Sequence, residues 1–469
     1  VEDFLFYDVW DNGTVNENVF AYSNRCGNEY SVVFYNNKYE RATGWIKQSC
    51  EYAVKTGSGE NDKKLVTRSL SEGLGLLGED DYYMIFREDR SNLWYIRKSK
   101  DICEHGMFIA LNGFETQIFM DIRQEKDVDG SLKELHDFLN GKGTPDLHMA
   151  WQDLHYRRLY QAFSDVISND FCVALGTLKM EAKALKAANL KKASPASIKK
   201  LVEKPLEDFY SLANEFAEKE YLEEQKSRIA RKISDLEGKI EEEKARISEE
   251  NAAKAKKSSS KAKLSSRILS ALEKELADTS KEKPVFSKIA RPKSISFATP
   301  KDSKVTDKEI YLYVYTLLAP LAEDNWARKW SLQRKFAEFS GNTPIGSMES
   351  YNFFDRLFAL SEGEQPKLTE SSAKADLLAV SQKLAASNDS WLLVDANEYG
   401  GTRWFNKEKM ESTLELYKAI LSLKENESKQ KAIEALFKKL NSAQKKAEYK
   451  CDEFVNQFKP KEKAAKKAK

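Results

Sequence analysis

The period of the hydrophobic pattern changes near residue 130, and this change constrains the fold more than any other feature of the sequence. Before it, short runs rich in aromatic and β-branched residues are separated by turn sequences, as in antiparallel strands. After it, apolar residues recur every three or four positions, as on one side of an amphipathic helix. We therefore predict a mixed β and α protein. An N-terminal antiparallel β-sandwich-like domain precedes two mostly α-helical regions, which a flexible linker joins.

Three pairs of apolar runs in the first 125 residues predict β-hairpins, because each pair flanks a turn sequence. The pairs are 19–22 with 31–35, 82–87 with 93–97, and 107–111 with 115–122. The last pair flanks Asn112 and Gly113, and Asn-Gly is the strongest short hairpin signal. Paired strands at this spacing are typical of a sandwich or barrel-like module.

The rest of the chain divides by composition into four further segments. With the β-domain (1–125), the predicted segments are a helical extension (126–250), a basic Lys/Ala/Ser linker (251–304), an α-helical domain (305–458) and a disordered basic tail (459–469). The linker and tail are rich in Lys, Ala and Ser or Lys and Ala, compositions that bury little apolar surface. Both could contact an acidic surface, but they lack interleaved aromatic residues, so solvated segments are the favoured interpretation over specific nucleic-acid binding.

Local signals mark individual helices. Ser131 with Glu134 and Thr306 with Glu309 have the capping-box spacing, and Thr144-Pro145 reads as an N-cap and first helical residue. A short heptad seam lies in the helical extension, formed by Ile229, Ile233, Leu236, Ile240 and Ile247. An intramolecular helical hairpin is favoured over a dimerising coiled coil, and the sequence leaves open whether the chain forms a homo-oligomer.

Charge and cysteine content limit the classes of function. Lys and Arg number 76 against 74 Asp and Glu, and this near balance argues against a globally nucleic-acid-binding or membrane-binding surface. The sequence has no apolar run long enough to span a membrane. Five widely spaced cysteines without a Cys-x-x-Cys pair argue against a zinc site or a disulfide framework, and we expect a cytoplasmic location. A targeting signal upstream of Val1 stays open.

No catalytic or cofactor site is expected within this chain. His148 and His155 are seven residues apart and can share a helix face, but metal ligation needs more partners, so no metal is assigned. Phosphate-binding loops, dinucleotide fingerprints, nucleophile elbows and His-Glu-x-x-His motifs are missing from the sequence. The chain begins with Val1 inside an aromatic run, 1–10, and we expect it to be part of something longer, with this run as an exposed strip.

Aromatic residues concentrate in two places. Among those on predicted strands, Phe20, Tyr22 and Phe34 are interpreted as core, because alternate strand residues face inward. The other place is a Gly-Gly loop that carries Tyr399 and Trp404, which are the candidate binding residues for a sugar or a peptide. The favoured alternative is that Trp404 and Phe405 tuck under the next helix as a hydrophobic staple.

Parts of the sequence resemble α-amylase superfamily glycoside hydrolases. Residues 18–37 (NVFAYSNRCGNEYSVVFYNN) look like the first hairpin of the β-domain that follows the catalytic barrel, and 111–119 (LNGFETQIF) resemble its closing hairpin. Residues 140–145 (NGKGTP) and 399–408 (YGGTRWFNKE) are similar to the helical extension of large bacterial members of that group.

The resemblance implies an upstream (β/α)₈ barrel that acts on α-glucosidic bonds with a nucleophilic Asp, an acid/base Glu and a stabilising Asp. No catalytic motif of the family matches a position here, so no catalytic residue is assigned. The resemblance thus implies a non-catalytic accessory region of an α-glucan-active enzyme, with the barrel and an α-glucan as candidate partners and no cofactor. The alternative is a stand-alone helical scaffold or protein-interaction module.

Overall fold

The computed structural model describes residues 3–57, 62–253, 259–292, 305–346, 348–425 and 427–460. The chain divides into two compact units, Val1–Arg157 and Arg158–Lys469, here called the β unit and the helical unit. Antiparallel β-sheets occupy residues 4–126, and a largely helical region follows. The predicted fold class is therefore confirmed.

Twelve strands and four helices form the described part of the β unit. The strands are β1 (Phe4–Tyr7), β2 (Trp10–Asp11), β3 (Thr14–Val15), β4 (Val19–Cys26), β5 (Glu29–Asn36), β6 (Ala42–Ile46), β7 (Tyr52–Lys55), β8 (Lys63–Val66), β9 (Tyr82–Glu88), β10 (Leu93–Lys98), β11 (Met107–Leu111) and β12 (Thr116–Lys126). The helices are α1 (Leu70–Gly73), α2 (Ser99–His105), α3 (Ser131–Leu139) and α4 (Leu147–His155).

Two sheets enclose the main core of the β unit. Sheet A has the order β1-β4-β5-β12-β9-β10, and sheet B has the order β11-β6-β2-β3, while β7 and β8 form a separate ribbon. Buried residues of sheet A, such as Phe34 and Met84, join one cluster with buried residues of sheet B, such as Ile46 and Ile109. The β4–β5 and β9–β10 hairpins form as predicted.

The predicted hairpin at Asn112-Gly113 is wrong. Strand β11 pairs with β6 in sheet B, whereas β12 pairs with β5 and β9 in sheet A, so the dipeptide turns a corner between the sheets. A Cβ atom on Gly113 would lie 2.0 Å from the carbonyl oxygen of Tyr39. Glycine is thus required by the close approach of another backbone segment, and not by a two-residue turn.

Helices α3 and α4 cover one half of the outer face of sheet A. Tyr83 and Ile85 of β9 and Ile96 of β10 form a second core with Leu135 and Leu139 of α3. Residues of α4, including Ala150 and Trp151, pack against the same cluster. Because these helices are tied to the sheet, the β unit extends beyond the predicted domain end at 125.

Two predicted helix starts differ from the structure. Helix α3 begins after Gly130, and the carboxylates of Asp127 and Asp129 accept hydrogen bonds from backbone N–H groups of its first turn, so Ser131 is not its N-cap. Helix α4 is capped by the side chain of Asp146 rather than by Thr144. In each case a nearby Asp takes the role, because its carboxylate also suits the positive end of a helix.

The helical unit contains fourteen described helices and one small hairpin. The helices are α5 (Arg157–Val166), α6 (Asn169–Thr177), α7 (Ala182–Ala187), α8 (Pro195–Ala253), α9 (Ser259–Thr279), α10 (Asp307–Glu323), α11 (Trp326–Lys329), α12 (Leu332–Ser340), α13 (Met348–Ser361), α14 (Ala373–Ala385), α15 (Ser390–Val394), α16 (Lys407–Lys424), α17 (Glu427–Lys446) and α18 (Cys451–Asn456). The hairpin joins β13 (Asn397–Tyr399) to β14 (Thr402–Trp404). The capping box of Thr306 and Glu309 at the start of α10 is confirmed.

Buried hydrogen bonds tie residues before the predicted linker to residues after it. The hydroxyl of Tyr160 donates to the carbonyl of Trp330 at 3.0 Å, and the hydroxyl of Tyr210 donates to the carbonyl of Leu317 at 2.8 Å. The two helical regions of the sequence analysis therefore share one compact unit. None of the helices in the described ranges is both long and apolar enough to cross a membrane.

Part of the predicted linker 251–304 is helical. Helix α9 packs along α8, and Lys232 of α8 lies 3.4 Å from Glu275 of α9. Leu236 and Ile240 of the heptad seam are buried, as an intramolecular helical hairpin requires. Residues 254–258 and 293–304 of the linker and 461–469 of the tail lie outside the described residues.

Candidate functional site

The histidines of the sequence do not form a metal site. His148 and His155 lie on one side of α4, where each ring stacks on Trp151, with centroids 6.0 and 4.7 Å from it. His136 lies beside Asp137, with Nδ1 3.0 Å from a carboxylate oxygen. Within the described ranges, no group of three or more His, Cys, Asp or Glu side chains has the geometry to hold a metal ion.

An aromatic face occupies the half of sheet A that α3 and α4 leave uncovered. Strand pairing places its residues side by side on β1, β4, β5 and β12, on the side of the sheet opposite the main core. The face consists of Phe4, Phe6, Phe20, Tyr22, Val33, Tyr35 and Ile118. None of these side chains is charged, and all are at least partly exposed.

The rings of the aromatic face contact one another. Phe4 lies 5.0 Å from both Phe6 and Tyr22 between ring centroids, and Phe20 stacks on Tyr35 at 6.3 Å. The exposed fractions are 42% for Phe4, 50% for Phe6 and 49% for Phe20. These contacts hold the exposed rings together as one surface.

The interpretation of the strand aromatics as core is only partly right. Phe34 is buried between the sheets, but Phe20 is exposed and Tyr22 is half-buried on the aromatic face. Because Phe20 pairs with Tyr35, it lies on the opposite side of the sheet from Phe34. The small residues Ala21 and Ser23 of the same strand face the core instead.

Of the described aromatic residues in the N-terminal run, only Phe4, Phe6 and Trp10 are exposed, and these residues do not form a single strip. Phe4 and Phe6 belong to the aromatic face of sheet A, whereas Trp10 belongs to sheet B. Strand β1 also has a partner in β4, and the Phe6 carbonyl accepts a hydrogen bond from the backbone N–H of Cys50 at 2.7 Å. The expectation that residues 1–10 form one exposed strip is therefore wrong for the described part of the run, because β1 is a paired strand of sheet A.

A row of three aromatic residues crosses the outer side of sheet B. Trp10 of β2 pairs with Trp45 of β6, which pairs with Phe108 of β11, and their exposed fractions are 47%, 46% and 51%. The rings of Trp45 and Phe108 lie 5.3 Å apart. This arrangement presents two adjacent aromatic rings at the β11 edge of the sheet.

A cleft opens at the same edge, and we call it the edge cleft. Its volume is about 490 Å³. Its apolar walls include Trp45, Phe86, Phe108 and Phe119, and its polar side chains are Arg97, Asp101 and His105. Strand β10 and helix α2 supply the polar groups, while both sheets supply aromatic rings.

Arg97 is held in place at the edge cleft. Its guanidinium donates hydrogen bonds to the carbonyls of Ile96 at 2.9 Å and Gly141 at 3.0 Å. It also lies 6.0 Å from the ring centroid of Phe86 and 5.5 Å from that of Tyr95. Burial of the guanidinium lowers the pKa of Arg97.

The candidate binding residues Tyr399 and Trp404 lie on the β13–β14 hairpin, but they differ in accessibility. Tyr399 is 83% exposed, whereas Trp404 is half-buried with the Lys450 ammonium 5.6 Å from its ring centroid. Phe405 is buried, as the staple interpretation expects, but its ring contacts among the described residues are with Tyr449 and Phe454, on α18 and the loop before it, and not with the next helix, α16. The hairpin presents one accessible ring.

An ionic cluster lies in the helical unit around Arg328. Its guanidinium makes two hydrogen bonds of 3.0 Å to Asp389 and lies 3.1 Å from Glu362 and 3.3 Å from Asp355. Burial disfavours the charge on Arg328, but the hydrogen bonds to Asp389 and the other two carboxylates raise its pKa overall. The pKa values of Asp355 and Glu362 are raised, because the effect of burial exceeds the lowering effect of the nearby Arg328 charge.

The edge cleft was missed in the sequence because its residues are far apart in the chain. Trp45 closes the aromatic-rich stretch of the sequence that begins at Phe20, but Arg97, Asp101 and Phe108 belong to no recognisable motif. The one feature of the sequence that could have indicated the cleft is the large Trp45 side chain on a strand of otherwise small and apolar residues, Ala42–Ile46. Comparisons of this chain with protein-family models, curated proteins and solved structures gave no match.

Proposed function

We propose that this chain is a non-catalytic accessory region of an α-glucan-active glycoside hydrolase, and that its β unit packs on the catalytic barrel of that enzyme. The aromatic face is the observation that carries the proposal. It is the uncovered half of a sheet face whose other half is covered by helices α3 and α4. The resemblance of residues 18–37 supports the choice of enzyme class.

The area and chemistry of the aromatic face suit a protein partner. Phe4, Phe6 and Phe20 together expose on the order of 300 Å², because an aromatic side chain offers about 150–250 Å² of surface. Tyr22 and Tyr35 enlarge this patch. Exposed apolar patches above a few hundred Å² commonly mark an interface on soluble proteins.

A barrel is a suitable occupant because its outer surface is a ring of helices. Helix-on-sheet packing already covers the β9–β10 half of this face through Leu135 and Leu139. A further helix or pair of helices would extend that layer over β1, β4 and β5. The lack of charge on the face favours an apolar helical surface over an acidic or basic partner.

The test compares tyrosine labelling in this chain and in the protein that the natural gene encodes. The gene upstream of the Val1 codon is first sequenced, and the encoded protein is purified with whatever precedes Val1. Tyr22 and Tyr35 are then labelled by mild nitration in both proteins and quantified by mass spectrometry. We expect both to react in the chain alone and to be protected in the protein that includes the proposed barrel, while the control Tyr39, which lies outside the aromatic face, reacts equally in both.

Two results would contradict the proposal. Equal labelling of Tyr22 in both proteins would show that nothing covers the aromatic face. An upstream region without a barrel that carries the family's catalytic carboxylates would favour the alternative, a stand-alone scaffold. As a separate check, the chain alone should release no reducing sugar from starch, maltodextrin or pullulan above a buffer control.

A further inference from the structure

We infer that the edge cleft binds an uncharged saccharide and, resting on the proposed function, that this saccharide is a short α-glucan. The edge cleft lies between sheet B, α2 and the β12-β9-β10 part of sheet A, and the aromatic face on β1, β4, β5 and β12 plays no part in the inference. It rests on three features of the cleft: its aromatic walls, its fixed guanidinium and its balanced charge.

The aromatic walls suit the apolar faces of sugar rings. Trp45 and Phe108 stand at the rim, 5.3 Å apart, and are about half exposed. Phe86 and Phe119 lie deeper, 4.7 Å apart, where the core of the sandwich reaches the surface. A volume of about 490 Å³ falls within the ~300–1,000 Å³ of typical small-molecule sites.

The polar groups of the cleft suit hydroxyl groups. Arg97 offers N–H donors and Asp101 offers acceptor oxygens, and a pair of neighbouring sugar hydroxyls can accept from one and donate to the other. The hydrogen bond from Arg97 to Gly141 and its position beside Phe86 hold the guanidinium before a ligand arrives. Such preorganisation reduces the entropic cost of binding.

The charge of the cleft argues for a neutral ligand. Among the side chains that line the cleft, Arg97 carries a positive charge and Asp101 a negative charge. An anionic ligand would be attracted by Arg97 but repelled by Asp101, and a cationic ligand would be attracted by Asp101 but repelled by Arg97. Aromatic walls with a balanced donor and acceptor pair therefore favour a saccharide over a carboxylate or phosphate compound.

The experiment is calorimetric titration of the purified full chain with maltopentaose, with cellopentaose as the stereochemical control. Trp45→Ala and Asp101→Asn change the cleft. Trp10→Ala is the matched control, because Trp10 is as exposed as Trp45 and pairs with it, but does not line the cleft. Trp391→Ala is a second control with an exposed ring in the helical unit.

We expect maltopentaose to bind the wild type and both controls alike and to bind more weakly to the two cleft variants. The expected change for Trp45→Ala is about tenfold in Kd, equal to about 1.4 kcal/mol, because one aromatic contact of this kind contributes on the order of 1 kcal/mol. Circular dichroism of each variant checks that the fold is intact.

Three results would overturn the inference. If maltopentaose does not bind, the edge cleft is not a saccharide site. If it binds but the cleft variants bind equally well, the site is elsewhere. If cellopentaose binds as tightly, the assignment to α-glucan is wrong. Each of these leaves the proposed function to its own test, because tyrosine labelling reports on sheet A and does not depend on sugar.

Discussion

Replacing Arg328 by methionine tests whether the ionic cluster stabilises the helical unit. Methionine keeps much of the length of the side chain but removes the guanidinium that neutralises Asp355, Glu362 and Asp389. Three carboxylates would then lie close together without the guanidinium. The nearby ammonium of Lys383 donates hydrogen bonds to the backbone carbonyls of Leu360 and Glu362. The change therefore removes one cation and leaves several partly buried anions without it.

The expected loss follows from the burial of the cluster. Side chains of Arg328 and its three partners are between 12% and 29% exposed. Breaking a buried ion pair by removing one partner costs roughly 3–5 kcal/mol. Because water reaches each of these groups in part, we expect the lower end of that range, about 3 kcal/mol of unfolding free energy.

The loss should shrink as the pH is lowered. Burial raises the pKa of Asp355 and Glu362 above their ordinary values, and removing Arg328 raises both further. The folded variant then binds protons more readily than the unfolded chain, so its unfolding free energy rises as the pH falls. We expect the difference from wild type to be largest near neutral pH and smaller near about pH 5.

Urea denaturation followed by far-UV circular dichroism measures the effect, since this signal reports mainly on the helices. Arg158→Met is the control, because Arg158 forms a single 3.3 Å pair with Glu215 at the surface of the same unit. That change should cost less than about 0.5 kcal/mol. A loss of similar size in both variants, or one that does not depend on pH, would refute the reasoning.

Three further predictions concern other parts of the chain. Tyr7→Phe should lower the unfolding free energy by about 1 kcal/mol at neutral pH, because it removes the buried 2.8 Å hydrogen bond to Ser23. Burial raises the pKa of Tyr7 from 10.0 to about 12, so the stability of the wild type should fall between those pH values more than that of the variant. Urea denaturation at alkaline pH measures this difference. Gly113→Ala should lower stability by about 1–3 kcal/mol, because its Cβ would collide with the Tyr39 carbonyl, and an unchanged thermal midpoint would contradict this. Limited trypsin digestion should cut first within the Lys/Ala/Ser-rich segment 251–304, outside the part in which α9 packs along α8, and early cleavage elsewhere would count against the predicted linker.

Local chemistry allowed much of the fold to be predicted. The β9–β10 hairpin and the capping box at Thr306 depend on residues close in sequence, and both form as predicted. The heptad seam predicts an intramolecular helical hairpin, and α8 does pack on another helix of the chain, but that helix, α9, lies in the segment predicted as a flexible linker. Such features are specified by turn residues, caps and periodicity, which a sequence displays directly.

Features that depend on distant residues could not be predicted. Asn112-Gly113 is a typical hairpin-turn sequence, but β11 pairs with β6, so the strands on either side of the dipeptide, β11 and β12, lie in different sheets. The side chains of the strand that contains Phe20 alternate between the two sides of the sheet, but this alternation does not say which side is buried. The edge cleft brings together residues from β6, α2 and β11, and only tertiary packing makes them neighbours.

Helix α8 is continuous over 59 residues, but its two ends have different surroundings. Ile198, Val202 and Phe209 near its start are fully buried in the helical unit, whereas much of the later part is exposed and packs mainly on α9. Amide hydrogens in the first part should therefore exchange only when the unit opens as a whole, while those near residue 245 should exchange through local opening of the α8–α9 pair. One uninterrupted helix would then belong to two cooperative unfolding units, and loss of α9 would free its far end without melting its beginning.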